Sequence, residues 1–434
     1  PNEGNVVYSG VSAGLPGTFK KAFSDDNFDM LFEGINMIEM LTEEEQNSIL
    51  DLNITRILKT EEKTEFKKVS SINEIIKFAG KFGQMSMIED YLMDEKMLKQ
   101  TSLATCAGIA AGYEALKDAG IPLVREYIET ASGSLLPGRL VLPEEMRENT
   151  GVIFANGLFP LDNVIKQVSQ YTASKFGSKS KMDIIDFYSA VISKISDRES
   201  KKLLTDWFNA HYSRLAGNPR EHDIYEFNHN FMTVLASQAN NMFAQLIGAT
   251  GPNLYVNAAC ASTTSAVSIA EDMIKTGRAQ RVIVIGADVS NTKSMLPWIG
   301  AGFFSIGALS DAHDLFDAAV PFDNRRNGMI LGSGAVGLVI EKENDVERRG
   351  MKGICRILGT HMFNSAGHIS KIDIKRHCVE LDRFISKMEK QYGIERNNIA
   401  SRTVYCSHET YSPKNGGCGQ MEKMSLEYVF GENF

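Results

Sequence analysis

Cys260 is the residue of this chain best placed to act as a nucleophile. It lies in Asn257-Ala-Ala-Cys-Ala-Ser-Thr-Thr-Ser265, between an apolar strand-like stretch and a small-residue helix predicted over residues 261–274. A thiol in the first turn of a helix is close to the positive end of the helix dipole, which lowers its pKa. Small neighbours leave room for a substrate, so the segment suits a covalent thioester intermediate. The alternative is a buried apolar cysteine, which is common in folded proteins.

His408 is the second candidate, in Val404-Tyr-Cys-Ser-His-Glu-Thr-Tyr-Ser-Pro413. It follows a predicted strand, and strand ends are where ligand chemistry collects in layered α/β proteins. A histidine there can donate a hydrogen bond to a carbonyl oxygen or pair with a thiolate. The alternative is a structural histidine that caps a turn. Glu409 beside it is either exposed to solvent or an orienting carboxylate.

Other candidate segments carry weaker signals. Asp323 stands next to Arg325 and Arg326 and is predicted to pin a loop by charge-assisted hydrogen bonds, a structural role. The glycine-rich stretch around Gly332 lacks the spacing of a phosphate-binding loop or a dinucleotide-binding turn. His368 is a weaker histidine candidate. Three further histidines have no supporting context: His313, His361 and His377.

Composition limits the classes of function. The 434 residues are 43% hydrophobic and 23% charged, an ordinary globular composition, and the net charge of −8 argues against non-specific nucleic-acid binding. No apolar stretch reaches the roughly 20 residues that span a bilayer. The N-terminus lacks methionine and a basic segment, and we expect both termini to be cut from a longer protein.

The cysteines indicate neither a disulfide framework nor a zinc site, because they are scattered without C-x-x-C spacing. We therefore expect no metal and a reducing, cytoplasmic compartment. The six positions are Cys106, Cys260, Cys355, Cys378, Cys406 and Cys418.

Apolar runs alternate with helical patterns, which predicts a layered α/β fold. Predicted strands cover residues 6–10, 151–155, 254–257, 281–287 and 404–407, with a strand, a bend and a second strand over 329–341. Predicted helices cover residues 18–50, 101–119, 261–274 and 376–392, and Thr42 is the expected start of one helical segment. Residues 54–70 are predicted to be a solvated loop or arm. The charged stretch 160–230 is predicted to be a surface helical insertion, with a partner-docking arm as the alternative.

Taken together, these segments resemble a β-ketoacyl synthase, the condensing enzyme of fatty-acid and polyketide assembly. Residues 257–265 resemble the family's A-C-A/S-S/T element, and 407–413 resemble its A-H-G-T-x-T-P loop. The remaining matching segments, in chain order, are 6–17, 103–121, 302–310 and 321–331. Glu409 and Ser407 depart from the family's glycine and alanine.

The resemblance implies a thiolase-like α/β fold of five layers, α-β-α-β-α, with an incomplete C-terminal part. Residues 1–434 would form one ketosynthase domain, with an N-terminal half over 1–340 and a partial second half over 341–434. It also implies an acyltransferase that uses Cys260 and His408 as catalytic residues in a decarboxylative Claisen condensation.

The implied partner is an acyl carrier protein that delivers acyl and malonyl-type thioesters on phosphopantetheine; no cofactor is bound by the domain itself. The resemblance also implies a homodimer paired near residues 254–257, with no nucleic acid or membrane as partner. Carrier proteins of the family are generally acidic, so docking is expected to need a local basic patch on this chain, with four arginines as candidates: Arg325, Arg326, Arg348 and Arg349.

Two alternatives remain open at this point. The sequence ends before the family's second catalytic histidine, which His368 does not replace, so one alternative is a non-catalytic scaffold for dimerisation or carrier docking. The other is a Cys-His hydrolase, since the nucleophile and histidine types fit that chemistry.

Overall fold

The computed structural model describes residues 4–59, 63–174, 178–216, 227, 231, 238–367, 372–411 and 417–431. The chain divides into two compact units. One contains Pro1–Pro160 and Ala236–Phe434, and the other contains Leu161–Leu235.

The described strands are short in the N-terminal part and long in the central sheet. In chain order they are β1 (Val6–Gly14), β2 (Glu39–Met40), β3 (Thr55–Lys59), β4 (Thr64–Lys68), β5 (Phe78–Gly80), β6 (Val124–Glu129), β7 (Leu135–Val141), β8 (Thr150–Ala155), β9 (Asn253–Val256), β10 (Arg281–Val289), β11 (Leu331–Lys342) and β12 (Cys355–Arg356).

The described α-helices range from single turns to 19 residues. In chain order they are α1 (Asn27–Phe32), α2 (Glu43–Leu50), α3 (Glu95–Leu98), α4 (Leu103–Asp118), α5 (Glu144–Arg147), α6 (Asp162–Thr172), α7 (Ser178–Ile192), α8 (Arg198–Ala216), α9 (Ala239–Ile247), α10 (Ser262–Lys275), α11 (Leu296–Ser305), α12 (Leu315–Ala318), α13 (Glu343–Arg348), α14 (Ile374–Tyr392), α15 (Arg396–Ile399) and α16 (Cys418–Phe430).

A mixed sheet forms the centre of the larger unit, in the order β12-β1-β11-β10-β8-β9. Strand β8 pairs in parallel with β9 and β10, whereas β11 pairs antiparallel with β1 and β10. The carboxyl ends of β8, β9 and β10 therefore lie at one edge of the sheet, and β9 is its last strand.

Strand β10 shows why the sheet is covered on both faces. Ile283 and Ile285 belong to the core on the side of α4 and α9, while Val282 and Val284 belong to the core on the side of α10. Successive side chains of a strand point to opposite faces, so an unbroken apolar run requires helices on both sides.

Two glycines of α4 allow the helix to lie close to the sheet. A Cβ at Gly108 would lie 2.3 Å from the Phe154 ring of β8, and one at Gly112 would lie 2.8 Å from Ile285 Cδ1 of β10 and 2.4 Å from the Phe243 ring of α9. Neither position has room for a side chain, so we infer that both residues are required for the packing of α4.

The sequence predicted many elements of this unit. The strands predicted over 151–155 and 281–287 are confirmed as β8 and β10, and the helix over 376–392 is confirmed as α14. Thr42 does begin a helix: its hydroxyl accepts a hydrogen bond from the Glu45 amide, and the Glu45 carboxylate accepts one from the Thr42 amide.

Other predictions were wrong. Residues 18–50 form two short helices with a two-residue strand between them. Residues 54–70 contain the hairpin of β3 and β4, so the predicted loop is wrong, whereas the alternative of a solvated arm fits because β4 is exposed at every position. The strand, bend and strand over 329–341 is one continuous strand, β11. Residues 404–407 form no strand, because the extended segment pairs with no other strand in the described part of the chain.

The smaller unit contains α6, α7 and α8. Helices α7 and α8 pack through the rings of Tyr188 and Phe208, whose centroids are 3.8 Å apart. The Tyr188 hydroxyl also lies 3.3 Å from the Thr205 hydroxyl. Across both units, no helix within the described residues is long and apolar enough to cross a membrane.

A buried ion network holds β10, β11 and α13 together. Glu341 is fully buried and accepts hydrogen bonds from Arg281 at 2.7 Å, Arg349 at 2.7 Å and Ser9 at 2.6 Å. Its carboxylate is therefore the shared partner of two guanidinium groups that are themselves mostly buried.

We predict that Glu341→Ala lowers the free energy of unfolding by about 3–5 kcal/mol, because two buried guanidinium groups lose their counter-charge. Urea unfolding followed by circular dichroism measures the change. Glu343→Ala is the control: Glu343 pairs with the exposed Arg356, and its loss should cost roughly 0–1 kcal/mol. Equal losses in the two variants would contradict the role assigned to the network.

Candidate functional site

Cys260 lies on a sharp turn between β9 and α10. Strand β9 ends at Val256, and Ala259, just before the cysteine, has φ +49°, which is uncommon for a residue with a side chain. Helix α10 begins at Ser262, with Ala261 as its N-cap. Cys260 is therefore one residue before the cap, and the prediction that it lies in the first helical turn is wrong. Its side chain is exposed, which contradicts the alternative of a buried apolar cysteine.

Hydrogen bonds to the end of β8 hold this turn in place. The Asn257 side chain donates to the Asn156 carbonyl oxygen at 2.8 Å, and the Ser262 hydroxyl accepts from the Ala258 amide at 2.9 Å. Asn156 is 1% exposed; its side-chain amide donates to the carbonyl oxygen of Ala287 at the end of β10. The turn is thus tied to the edge where three strands end.

Asp288 fixes the neighbouring loop. Its carboxylate accepts hydrogen bonds from the Gly157 and Leu158 amides, both at 2.9 Å. Burial raises the pKa of Asp288, while these two amides act to lower it. The carboxylate also acts on Cys260, where its charge opposes formation of the thiolate.

The structure brings His408 into contact with Cys260. The two side chains are hydrogen-bonded, and this bond is the first cause of a lowered pKa at Cys260 and of a raised pKa at His408. Burial opposes both shifts, and the charge of each group on the other favours them. The two shifts favour the thiolate of Cys260 and the imidazolium of His408, the charge states that make a cysteine nucleophilic.

Glu422 of α16 positions the segment that carries His408. This carboxylate is 3% exposed and accepts a hydrogen bond from the His408 amide at 2.8 Å. It also accepts one from the Ser407 hydroxyl, and that hydroxyl accepts one from the Glu409 amide at 2.8 Å. The irregular segment is therefore held by a buried acceptor instead of by a β-ladder.

Sequence reasoning identified Cys260 and His408 but missed Glu422, Asp288 and Asn156. A signal for Glu422 was present, because it shares the buried face of α16 with the apolar Leu426 and Val429 at helical spacing. A carboxylate on an apolar stripe needs a buried donor, and the adjacent loop supplies it.

The remaining sequence candidates lie elsewhere or form structural contacts. Asp323 binds the Arg325 side chain at 3.0 and 3.1 Å and so pins its loop, as predicted. His361 bonds to Glu380 at 2.9 Å and His377 to Ser425 at 2.8 Å. His368 lies outside the described residues, as do Ser412 and Pro413 of the histidine segment.

Two of the four arginines expected in a docking patch are not available at the surface. Arg326 is 9% exposed, and the side chain of Arg349 is held by Glu341 with 14% of its surface exposed. Arg325 and Arg348 are exposed, but each pairs with aspartate on its own segment. Arg326 and Arg349 are therefore wrong as docking residues, because their guanidinium groups are buried in ion pairs.

We predict that His408→Ala raises the pKa of Cys260 and slows its alkylation by iodoacetamide near neutral pH by about tenfold, the change in thiolate fraction for one pKa unit. Mass spectrometry of the labelled peptides measures the rate. The exposed Cys355 is an internal reference whose rate should not change. An unchanged Cys260 rate would show that the contact does not activate the thiol.

We predict that Glu422→Ala also slows Cys260 alkylation, because the His408 segment loses its buried anchor. Adding His408→Ala should slow the reaction no further, since both changes remove the same contact. Glu427→Ala, at an exposed position of the same helix, is the matched control and should react like the unchanged protein. If the two substitutions together slowed alkylation by the product of their separate effects, they would not act through the same contact.

Comparison with known proteins finds a family match for part of the chain. Residues 200–346 match the family described as Beta-ketoacyl synthase, N-terminal domain. The chain is 33% identical over 138 residues to 3-oxoacyl-[acyl-carrier-protein] synthase 2 of Synechocystis sp., a match that covers 32% of each protein. The chain thus spans about a third of the length of the curated relatives it matches.

The fold extends the match beyond that segment. The crystal structure of a Beta-ketoacyl synthase from Burkholderia phymatum aligns with 99% of this chain and 79% of its own, with a TM-score of 0.61 and 15% identity. A type II polyketide ketosynthase solved in complex with its acyl-carrier protein aligns with 99% of this chain and 78% of its own, with a TM-score of 0.58 and 14% identity. The mixed α/β fold is thus the thiolase-like fold expected from the sequence, and residues 200–346 are similar to the N-terminal domain of β-ketoacyl synthases.

Proposed function

We propose that this chain is an acyltransferase that forms carbon–carbon bonds by decarboxylative Claisen condensation. The observation that carries the proposal is the hydrogen-bonded pair of Cys260 and His408, whose pKa values are shifted toward thiolate and imidazolium. The cysteine lies inside the segment that matches the synthase family. Perturbed pKa values in an exposed, geometrically defined pair are typical of catalytic groups.

In the first half of the proposed reaction, the Cys260 thiolate attacks the carbonyl carbon of an acyl thioester. The resulting oxyanion needs hydrogen-bond donors, and the backbone amide of Cys260, which already acts on the sulfur, is the proposed donor. The carrier thiolate then leaves and takes up a proton, and the acyl group remains on Cys260 as a thioester. The exposed position of the sulfur supports this step, since a carrier-bound substrate must reach it.

In the second half, a malonyl-type thioester loses carbon dioxide and leaves an enolate. The imidazole of His408 would donate a hydrogen bond to the enolate oxygen. The enolate carbon attacks the acyl carbonyl on Cys260, a carbon–carbon bond forms, and the cysteine leaves as thiolate. One donor to such an oxyanion is typically worth about 10²–10³ in rate.

The proposed substrates are acyl and malonyl-type thioesters carried on the phosphopantetheine arm of an acyl carrier protein. A polyketide ketosynthase of the same fold has been solved in complex with its carrier protein, and this supports the same partner here. Phosphopantetheine is then part of the substrate, and we propose no resident cofactor or metal. The six thiols are all unpaired in the structure, which fits the proposed reducing, cytoplasmic location.

A homodimer formed through β9 is part of the proposal. Strand β9 is the end strand of the central sheet, and Leu254 on it is 38% exposed. An end strand offers unpaired backbone groups to another chain. Pairing of β9 with its copy would extend the sheet and place the two Cys260 turns near the interface.

A non-catalytic role as a dimerisation or carrier-docking scaffold remains the second candidate function. In the described part of the chain, His408 is the one histidine whose charge acts on Cys260. The resemblance implies two catalytic histidines, so acyl transfer to Cys260 and condensation can be tested separately. Acyl transfer requires the Cys260–His408 pair, whereas condensation also requires further hydrogen-bond donors to the enolate oxygen.

We predict that the purified chain takes one acyl group from an acyl carrier protein onto Cys260, detected as a mass increase of the intact protein and located by peptide mapping. Cys260→Ala should abolish the mass increase, and Cys406→Ala, which removes another exposed thiol, should leave it unchanged. Absence of acylation would favour the scaffold. Rapid release of free acid with turnover would instead identify a Cys-His hydrolase.

A further inference from the structure

Glu409 and Arg326 form a buried ion pair directly beside the candidate catalytic histidine. The Arg326 Nε and Glu409 Oε1 atoms are 3.6 Å apart, and the two side chains are 7% and 3% exposed. Charged side chains are almost never buried to this extent unless they are paired. The pair joins two segments that are 83 positions apart in the chain.

The pair is not satisfied by hydrogen bonds. Both carboxylate oxygens of Glu409 and the Nε atom of Arg326 are buried and have no hydrogen-bond partner in the described part of the chain. Burying a carboxylate costs free energy that a well-packed apolar pair would not cost. A buried charge retained at this cost requires an explanation other than stability, and sites of function are where such charges are found.

The surroundings of Glu409 leave its side chain little freedom. A Cβ at Gly419 would lie 2.2 Å from Glu409 Oε2, so the carboxylate packs against the first turn of α16, where the helix dipole favours an anion. On the other side, Arg326 Nη1 donates to the Asp323 carbonyl oxygen at 2.8 Å, which fixes the guanidinium to its own segment. Glu409 is therefore held between α16 and the segment 320–326.

We propose that Glu409 is a positioning residue: together with Arg326 it holds the His408 segment so that the imidazole stays against Cys260. This inference rests on the proposed role of the Cys260–His408 pair. Glu422 anchors the backbone of the segment from one side, and the Glu409 side chain anchors it from the other. The alanine and glycine that the family motif has at positions 407 and 409 could make neither of the side-chain contacts made here by Ser407 and Glu409.

The pair also affects the charge at the site. The charged groups that act on His408 are the Cys260 thiolate from the turn before α10, Glu422 from α16, and Glu409 from its own segment, and all three favour the imidazolium. If Glu409 is neutralised, Arg326 becomes an uncompensated buried cation next to that segment. The imidazolium then loses a favourable charge, and the thiolate of Cys260 loses part of its support.

The test compares Glu409→Gln, Arg326→Gln and the double variant, all in the full chain. Arg325→Gln is the matched control, since it removes the same charge from the adjacent but exposed arginine. The readouts are the pH midpoint of thiolate formation at Cys260, its alkylation rate relative to Cys355, and Tm. None of these needs a carrier protein, so a failure of acyl transfer would overturn the proposed function without affecting this result.

A positioning role predicts that Glu409→Gln moves the midpoint of Cys260 upward by about half a pH unit, a threefold slower alkylation near neutral pH. Arg326→Gln should also slow alkylation, and the double variant should be slowed no more than the slower single variant. Tm should fall most in Arg326→Gln, which leaves a buried carboxylate unpaired. Arg325→Gln should match the unchanged protein in all three readouts.

Two results would overturn the inference. The first is an unchanged thiolate profile in Glu409→Gln with only Tm altered, which would make the pair purely structural. The second is an independent, multiplicative loss of alkylation rate in the double variant. If Arg326→Gln does not fold, the alkylation rates of Glu409→Gln and the double variant are compared instead. Equal rates support the positioning role, and a slower double variant contradicts it.

Discussion

The contact between the Cys260 thiol and the His408 imidazole is the interaction on which the account of this chain depends. Neither side chain lies within a helix or strand, so its position depends on side-chain anchors. Asp288 ties down the loop beside the cysteine, and Glu422 ties down the backbone of the histidine segment. The contact lowers the pKa of Cys260 and raises the pKa of His408, because the charge of each group stabilises the charge of the other.

The central sheet provides the frame for these anchors. Strands β8, β9 and β10 end together, and parallel strands in a layered α/β fold bring functional loops to that edge. Helices α4 and α10 cover the two faces, and close approach of α4 requires glycine at positions 108 and 112. The sheet and the two helices that cover it therefore determine the position of the turn that carries Cys260.

Local patterns made part of this predictable from sequence. The apolar runs of β8 and β10 and the small-residue start of α10 indicated the elements that carry Cys260. The alternation of small and apolar residues in β11 suggested a bend that the structure does not have. Gly337 allows close backbone approach, because a Cβ there would lie 2.2 Å from the Ala111 carbonyl oxygen of α4. The strand predicted over 404–407 failed because a strand needs a partner, which no local pattern reveals. Glu422 did carry a local signal on the buried face of α16, but its donors are supplied by a different segment, which that pattern does not identify.

The most direct test of the central contact is the titration of the His408 imidazole by NMR in the unchanged protein and in Cys260→Ser. The account predicts a pKa above the ordinary value for histidine that falls when the thiolate is removed. At a pH between the His408 pKa of the unchanged protein and that of Cys260→Ser, the imidazole should be protonated in the unchanged protein and neutral in the variant. A His408 that titrates as an ordinary exposed histidine, with the same midpoint in both proteins, would contradict the account.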